Sequence, residues 1–321
     1  MAHPSERQSP QTTKEIKRNI RGARPMCDYC HGSETKENPL KRCAGCRSIS
    51  YCSRACQKQN WPQHKEVCPD LRTKSILTKL ATTLLANADF FHFLKLAIAI
   101  YLDFDLEDAP SLPLAEPFTV LVPLLIEPED ILDFARLRGD LPNETNPPEK
   151  IQGILQVGAV LPIPEGLLSK EAVMSLTNTI RDDDDPLERD SPTGAIVFMM
   201  GSLNNRSITE VPIRISSQIL AIAKEGQPFM QFIIATRGYR PRPMSLFSCI
   251  EYINIAIRQD TQDTFLLRRD MSPMDEMIIR KSATEYDRSD DGSFACGLIK
   301  LRMKKEYIYE ALLQDDSDKD Q

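Results

Sequence analysis

Between residues 27 and 68 the chain carries Cys27, Cys30, Cys43, Cys46, Cys52, Cys56, His64 and Cys68, spaced C-x2-C-x12-C-x2-C-x5-C-x3-C-x7-H-x3-C. Thiolate sulfur and imidazole nitrogen are the donors tetrahedral zinc takes, four to each ion. Eight of them serve two ions per chain, and seven of the nine cysteines in the 321-residue sequence lie in this stretch. Cys27/Cys30 and Cys43/Cys46 make two C-x2-C turns, each able to present two sulfurs to one metal. Gly45, inside the second turn, lets a backbone N–H approach a thiolate. Cys52/Cys56 and His64/Cys68 are four residues apart, which stacks each pair on one face of a short helix. Ser53 is placed to cap the first of these helices and Asn60 the second, with Pro62 in the second helix's first turn. A metal with four protein ligands keeps no position for water, so both sites are structural and a zinc hydrolase within the segment is excluded. Spacing permits two pairings. A sequential one joins Cys27/Cys30 to Cys43/Cys46 and Cys52/Cys56 to His64/Cys68; an interleaved one joins Cys27/Cys30 to Cys52/Cys56 and Cys43/Cys46 to His64/Cys68.

The run CAGCRSISYCSRACQKQNWPQHKEVC, preceded by C-x2-C, resembles a MYND-type zinc finger. The agreement covers all eight ligand positions, Tyr51 before Cys52, Gln57 after Cys56, and Trp61 three residues before His64. It spans residues 27–68. The resemblance implies a small two-zinc cross-brace: Cys27, Cys30, Cys52 and Cys56 on one zinc, Cys43, Cys46, His64 and Cys68 on the other. Interleaving ties a segment too short for a good core into one unit. The resemblance also implies a protein–protein interaction module, several members of which bind proline-containing peptides of the Pro-x-Leu-x-Pro type. A preformed extended peptide docks on a rigid scaffold at low entropic cost. On that reading Trp61, the only tryptophan, is a platform and Gln57 hydrogen-bonds the peptide backbone. The competing role for Trp61 is a lid over the zinc helices. Peptide-binding members often carry Ser between the third and fourth cysteines. This chain has Ala44 there, one hydroxyl fewer at the peptide face.

Around the finger the sequence divides into a disordered basic tail over 1–26, a larger domain over 75–313 and an acidic tail over 314–321. A helix is expected from Ser75 to Tyr101, apolar nearly all round beyond Phe90, then an acidic, proline-punctuated linker over about 103–117. Phe118–Ile126 reads as a strand that Pro123 assigns to a sheet edge or a bulge. A helix over 128–138, stopped by Gly139, turns Ile131, Leu132, Ala135 and Leu137 inward. Strands follow at 151–163, 194–200 and 229–236, with 208–215 returning on 194–200 as a hairpin. Further helices are expected at 169–180, 218–224, 244–257, 274–281 and 301–313, and a solvated loop at 182–185. The fold class is therefore a small finger plus a mixed α/β or α+β domain.

The net charge of −6 conceals an asymmetry. Residues 1–74 hold 15 Lys+Arg against 7 Asp+Glu, and the rest of the chain holds 25 against 39. Lys41, Arg42, Arg47, Arg54, Lys58 and Lys65 flank the ligands. Cations beside thiolate-rich zinc balance its charge, and without a recognition-helix pattern nucleic acid is not the expected partner. The start MAHPSERQSP has no apolar core of a signal peptide, and Phe90–Leu102 is too short and too interrupted to span a membrane. Metal-spaced cysteines point to a reducing compartment, nucleus or cytoplasm. Cys249 and Cys296 are expected as buried small hydrophobes. The expected function is a zinc-binding interaction or adaptor protein in a transcription-regulatory setting, not an enzyme. The rival is an enzyme, methyltransferase-like or other, with its activity in residues 75–313. Against it, an Asn-His-Ser-Cys motif and nucleotide-binding glycine motifs are absent, and only 26 residues precede the finger.

Overall fold

The structure, a computed structural model, describes residues 12–20, 27, 29–30, 39–45, 49–102, 117–140, 150–164, 167–181, 191–201, 206–233, 238–283 and 293–309. All but the last residue of the expected linker over about 103–117, the loop at 182–185 and the tail at 314–321 lie outside them. The chain divides into two compact units, Met1–Ala88 with Thr264–Leu266, and Asp89–Asp263 with Leu267–Gln321.

In the first unit, the stretch expected as disordered tail contains a helix, α1 (Thr13–Ile20). Its start is held reciprocally: Glu15 N donates to Thr12 Oγ1 at 3.3 Å and Thr12 N donates to Glu15 Oε2 at 2.7 Å. Ile16 is fully buried and α1 packs on α2 (Arg54–Ala86). Two short strands, β1 (Lys41–Arg42) and β2 (Ser50–Tyr51), pair antiparallel before α2.

Helix α2 corrects three expectations. Its 33 residues are one helix, not two short ones, and Ser53 caps it by accepting from Cys56 N at 3.1 Å. Asn60 is not a cap: it lies inside the helix, and its Nδ2 donates to the Tyr51 hydroxyl at 3.1 Å. Pro62 sits mid-helix, where it deletes the bond to the Lys58 carbonyl. The helix expected over 75–101 is likewise two, the last part of α2 and α3 (Ala88–Leu102), broken at an extended Asn87. Among the described residues no single helix is long and apolar enough to cross a membrane.

The second unit is built on a mixed five-stranded sheet. Its strands are β3 (Phe118–Pro128), β4 (Gln152–Val157), β5 (Thr193–Gly201), β6 (Arg206–Arg214) and β9 (Arg268–Asp270), in the order β6-β5-β3-β4-β9. Only β3–β5 is parallel. Strand β3 is therefore central, not an edge, and every residue but Thr119 is buried. A strand covered on both faces reads as an unbroken apolar run. Pro123 is tolerated at a bulge: the step from Leu121 to Leu124 spans three residues, but the paired step from Leu161 to Val157 spans four. The Pro123 carbonyl accepts from Gly158 N at 2.8 Å on that side, so the missing N–H faces the bulged segment.

Helices cover the sheet. These are α4 (Ile131–Arg138) and α8 (Pro273–Ser282) on β3, α5 (Lys170–Arg181) on β5 and β6, α7 (Leu246–Gln259) on β4, and α9 (Ser293–Lys305) on α8. Helix α6 (Ser217–Glu225) precedes a separate hairpin of β7 (Phe229–Ile233) and β8 (Gly238–Arg242). Gly139 stops α4 at φ 86° as expected, but Leu132 faces solvent and Phe134 takes the inward place. The last helix begins eight residues before its expected start at 301 and gives way to a 3₁₀ turn at Tyr307–Tyr309.

Candidate metal centre

Cys27 and the turn at Tyr29–Cys30 meet Cys52, just before α2, and Cys56 in its first turn, which brings four sulfurs together. Those of Cys27, Cys30, Cys52 and Cys56 all lie within 4.8 Å of one another. Cys43, from the turn after β1, meets His64 and Cys68, from successive turns of α2, within the same limit. These are the groupings of the interleaved pairing. Cys46 lies outside the described residues. A tetrahedron with ~2.3 Å metal–sulfur bonds has edges of about 3.8 Å. Cys30–Cys52 and Cys52–Cys56 are 3.5 and 3.4 Å apart, Cys43–Cys68 3.9 Å, and His64 Nε2 lies 3.3 Å from Cys43 Sγ. The donor set and its spacing fit zinc.

The backbone does not treat the sulfurs of the first cluster alike. Burial pushes the Cys27 thiol up, but backbone N–H groups of Cys30, Cys52 and Tyr29 outweigh it and bring it down to about 6. Cys52, hydrogen-bonded to Cys56, Cys30 and Cys27, is pushed up to about 12. A divalent ion favours deprotonation of all four sulfurs. Gly45 is fixed by this geometry, since a Cβ there would lie 2.9 Å from Cys68 Sγ.

Trp61 is at once packed and exposed. Its ring meets that of His64 edge-on at 5.7 Å, and the residue is nevertheless 46% exposed. Gln57, half-buried, lies one turn earlier on the same side of α2. Ala44 is exposed in the turn with Gly45. Tyr51, fully buried, packs against the Cys27, Cys43 and Cys68 cluster.

The second unit contains a polar cluster that sequence reading missed. Arg302 of α9 is bonded to both Glu306 oxygens, to Glu127 of β3 and to Gln156 Oε1 of β4 at 2.9 Å. Arg258 of α7 donates to Glu127 Oε2 at 3.0 Å, and the Tyr309 hydroxyl donates to the same oxygen at 2.5 Å. Asn254 of α7 donates to Glu306 Oε1 and to the Val157 carbonyl, both at 3.0 Å. Two carboxylates balance two guanidiniums. Burial disfavours the Arg302 cation, yet Glu127 and Glu306 hold its pKa well above the ordinary value. Glu127, Gln156, Asn254, Arg302, Glu306 and Tyr309 are each at most 4% exposed, so this is an internal clasp closed to solvent. Cys249 and Cys296 are buried as expected.

This architecture defines a zinc-finger protein of the MYND type carrying a mixed helix–sheet domain. The MYND finger profile matches residues 27–68. The profile described as "Domain of unknown function (DUF8205)" matches residues 73–309, and the chain belongs to that family. Similar proteins include the histone-lysine N-methyltransferase SMYD3 of Homo sapiens, 44% identical over 15% of this chain and 10% of that protein. SET domain-containing protein 14 of Caenorhabditis elegans is 40% identical over 14% of this chain and 10% of that protein. The zinc finger MYND domain-containing protein 10 homolog of Drosophila melanogaster is 61% identical over 9% and 6%. The chain thus spans about a tenth or less of these relatives' length. No solved structure matches the chain.

Proposed function

We propose that this chain is a zinc-dependent interaction protein. Its finger binds two zinc ions, through Cys27, Cys30, Cys52 and Cys56 and through Cys43, Cys46, His64 and Cys68, and presents the Gln57–Trp61 face of α2 to a proline-containing peptide. Zinc supplies the cross-links that a 42-residue segment lacks, and the protein's own residues do the recognising. The observation that carries the reading is Trp61, in T-shaped contact with the ring of His64 yet exposed over nearly half its surface. A large flat side chain immobilised by a metal site meets an extended proline segment at little entropic cost. Gln57 on the same face offers one donor and one acceptor to a peptide backbone. Ala44 leaves that contact without a further hydroxyl. The compartment proposed is nuclear or cytoplasmic, where thiols stay reduced.

Native mass spectrometry of the full chain is expected to give two zincs; one zinc would refute the eight-ligand assignment. In a pull-down with an immobilised Pro-x-Leu-x-Pro peptide, Trp61→Ala is expected to abolish capture with zinc content unchanged. Capture at the wild-type level would remove the platform. S-adenosylmethionine binding by the full chain is the observation that would favour an enzyme in the second unit.

A further inference from the structure

Arg54, Lys58, Trp61 and Lys65 fall at steps of four, three and four residues along α2. On a 3.6-residue helix that spacing places all four on one stripe. All four are exposed. From Asn38 to Lys65 the sequence contains no Asp or Glu, while Lys41, Arg42, Arg54, Lys58 and Lys65 are all exposed on the finger. Seven thiolates against two divalent ions leave about three negative charges, which five exposed cations exceed. Arg54, in the first turn of α2, does not serve the helix, and Lys58 sits one turn further on. The first turn of α2 holds no acidic residue, and a cation beside a helix N-terminus opposes its dipole. No ion pair engages either side chain among the described residues.

We infer that the peptide partner of the Trp61 face carries carboxylates beside its proline-containing core, and that Arg54 and Lys58 read them. This deepens the peptide-binding reading and rests on it. The core lies on Trp61 and Gln57, and an acidic flank runs toward the start of α2, where the two cations and the exposed end of the helix dipole share one sign. The same stripe presents no recognition pattern for bases, so a duplex would meet it only as a polyanion.

The test uses the zinc-loaded full chain and fluorescence anisotropy with three synthetic peptides. The first joins a Pro-x-Leu-x-Pro core to four glutamates, the second joins the same core to four glutamines, and the third joins four glutamates to a glycine–serine core. At low salt the first is expected to bind about tenfold tighter than the second, within the range for two exposed ion pairs. That advantage should vanish near 1 M salt, where screening acts within ~3 Å. The double variant Arg54→Gln, Lys58→Gln should erase the advantage and leave the second peptide's affinity unchanged, with two zincs retained. Equal affinities for the first two peptides, or an advantage that survives the double variant, overturn the inference and leave the platform standing. Failure of the second peptide, or its indifference to Trp61→Ala, overturns the platform and the inference with it. If the third peptide matches the first and duplex DNA displaces both, the stripe is a general polyanion surface and the inference is wrong.

Discussion

Glu306 grips Arg302 through two parallel hydrogen bonds, Nε to Oε1 at 2.7 Å and Nη2 to Oε2 at 2.8 Å, with both residues at most 4% exposed. The remaining Nη1 pairs with Glu127, so one guanidinium joins α9 to the central strand and, through Gln156, to β4. Replacing such a cation strands two carboxylates that burial cannot tolerate. Arg302→Met is expected to cost about 3–5 kcal/mol of unfolding free energy, measured by urea denaturation at pH 7. Arg302→Lys keeps the charge but not the fork, and should recover only part of the loss. A loss below about 1 kcal/mol for Arg302→Met would show that the clasp is incidental to stability.

Alkaline pH offers a separate probe of the same unit. Burial raises the Cys249 thiol from 9.0 to about 12. Burial also holds the Tyr309 phenol well above its ordinary value, against the pull of Arg302. A raised pKa means the fold favours the protonated form. The unfolded chain releases these protons first, so the contribution is full below pH 9 and is lost as pH rises toward 12. Each group steepens the fall by up to about 1.4 kcal/mol per pH unit within its window. Cys249→Ala should therefore flatten stability against pH between 9 and 10 relative to wild type. Parallel curves would contradict the shift.

The metal centre was legible because its information is local: spacing, donor type and a helical period all lie within 42 residues. Local patterning likewise located α4, α5, α6, α7 and α8 and the β5–β6 hairpin. What escaped depends on distant partners. Glu127 and Arg302 are 175 residues apart, and nothing near either names the other. Pro123 reads as a sign of either an edge or a bulge, and only the register of the opposite segment decides for the bulge. Strands β8 and β9 are three to five charged or turn-like residues, chosen by pairing and not by propensity. The join between finger and helix reads as two helices because Pro62 looks like a helix start, whereas the chain runs through it as one helix. The signal available for the clasp was a glutamate within an otherwise apolar strand, Glu127 after Leu124, Leu125 and Ile126.

Gly45 lies against the Cys43–His64–Cys68 cluster, where an added methyl would lie 2.9 Å from Cys68 Sγ. That sulfur cannot withdraw without leaving the metal. Gly45→Ala is expected to lower zinc affinity at this site about 10–100-fold, the range seen when the surroundings of ligands are altered. The four-cysteine cluster should be spared. Competition with a chromogenic chelator should resolve one early-released zinc per chain in the variant. Unaltered release would mean the turn relaxes freely.

Pro62 sets the division of labour within α2. It removes one backbone bond and sits between Cys56 and His64, so the ligand-bearing part of the helix is weak on its own account. A mid-helix proline costs about 3 kcal/mol relative to alanine. Beyond the ligands, Leu77, Leu80, Ala81 and Leu84 are buried and hold the last turns by packing. Chelation should therefore expose the amides of residues 54–68 to hydrogen exchange while residues 77–84 stay protected. Pro62→Ala should restore part of the missing helix in the metal-free protein, seen as slower exchange over 57–66 and stronger helical circular dichroism. In the zinc-loaded protein the same substitution should change little, because the metal already fixes both sides of the proline. If chelation instead releases 54–86 as one block in both proteins, the helix is a single cooperative element and the proline does not divide it.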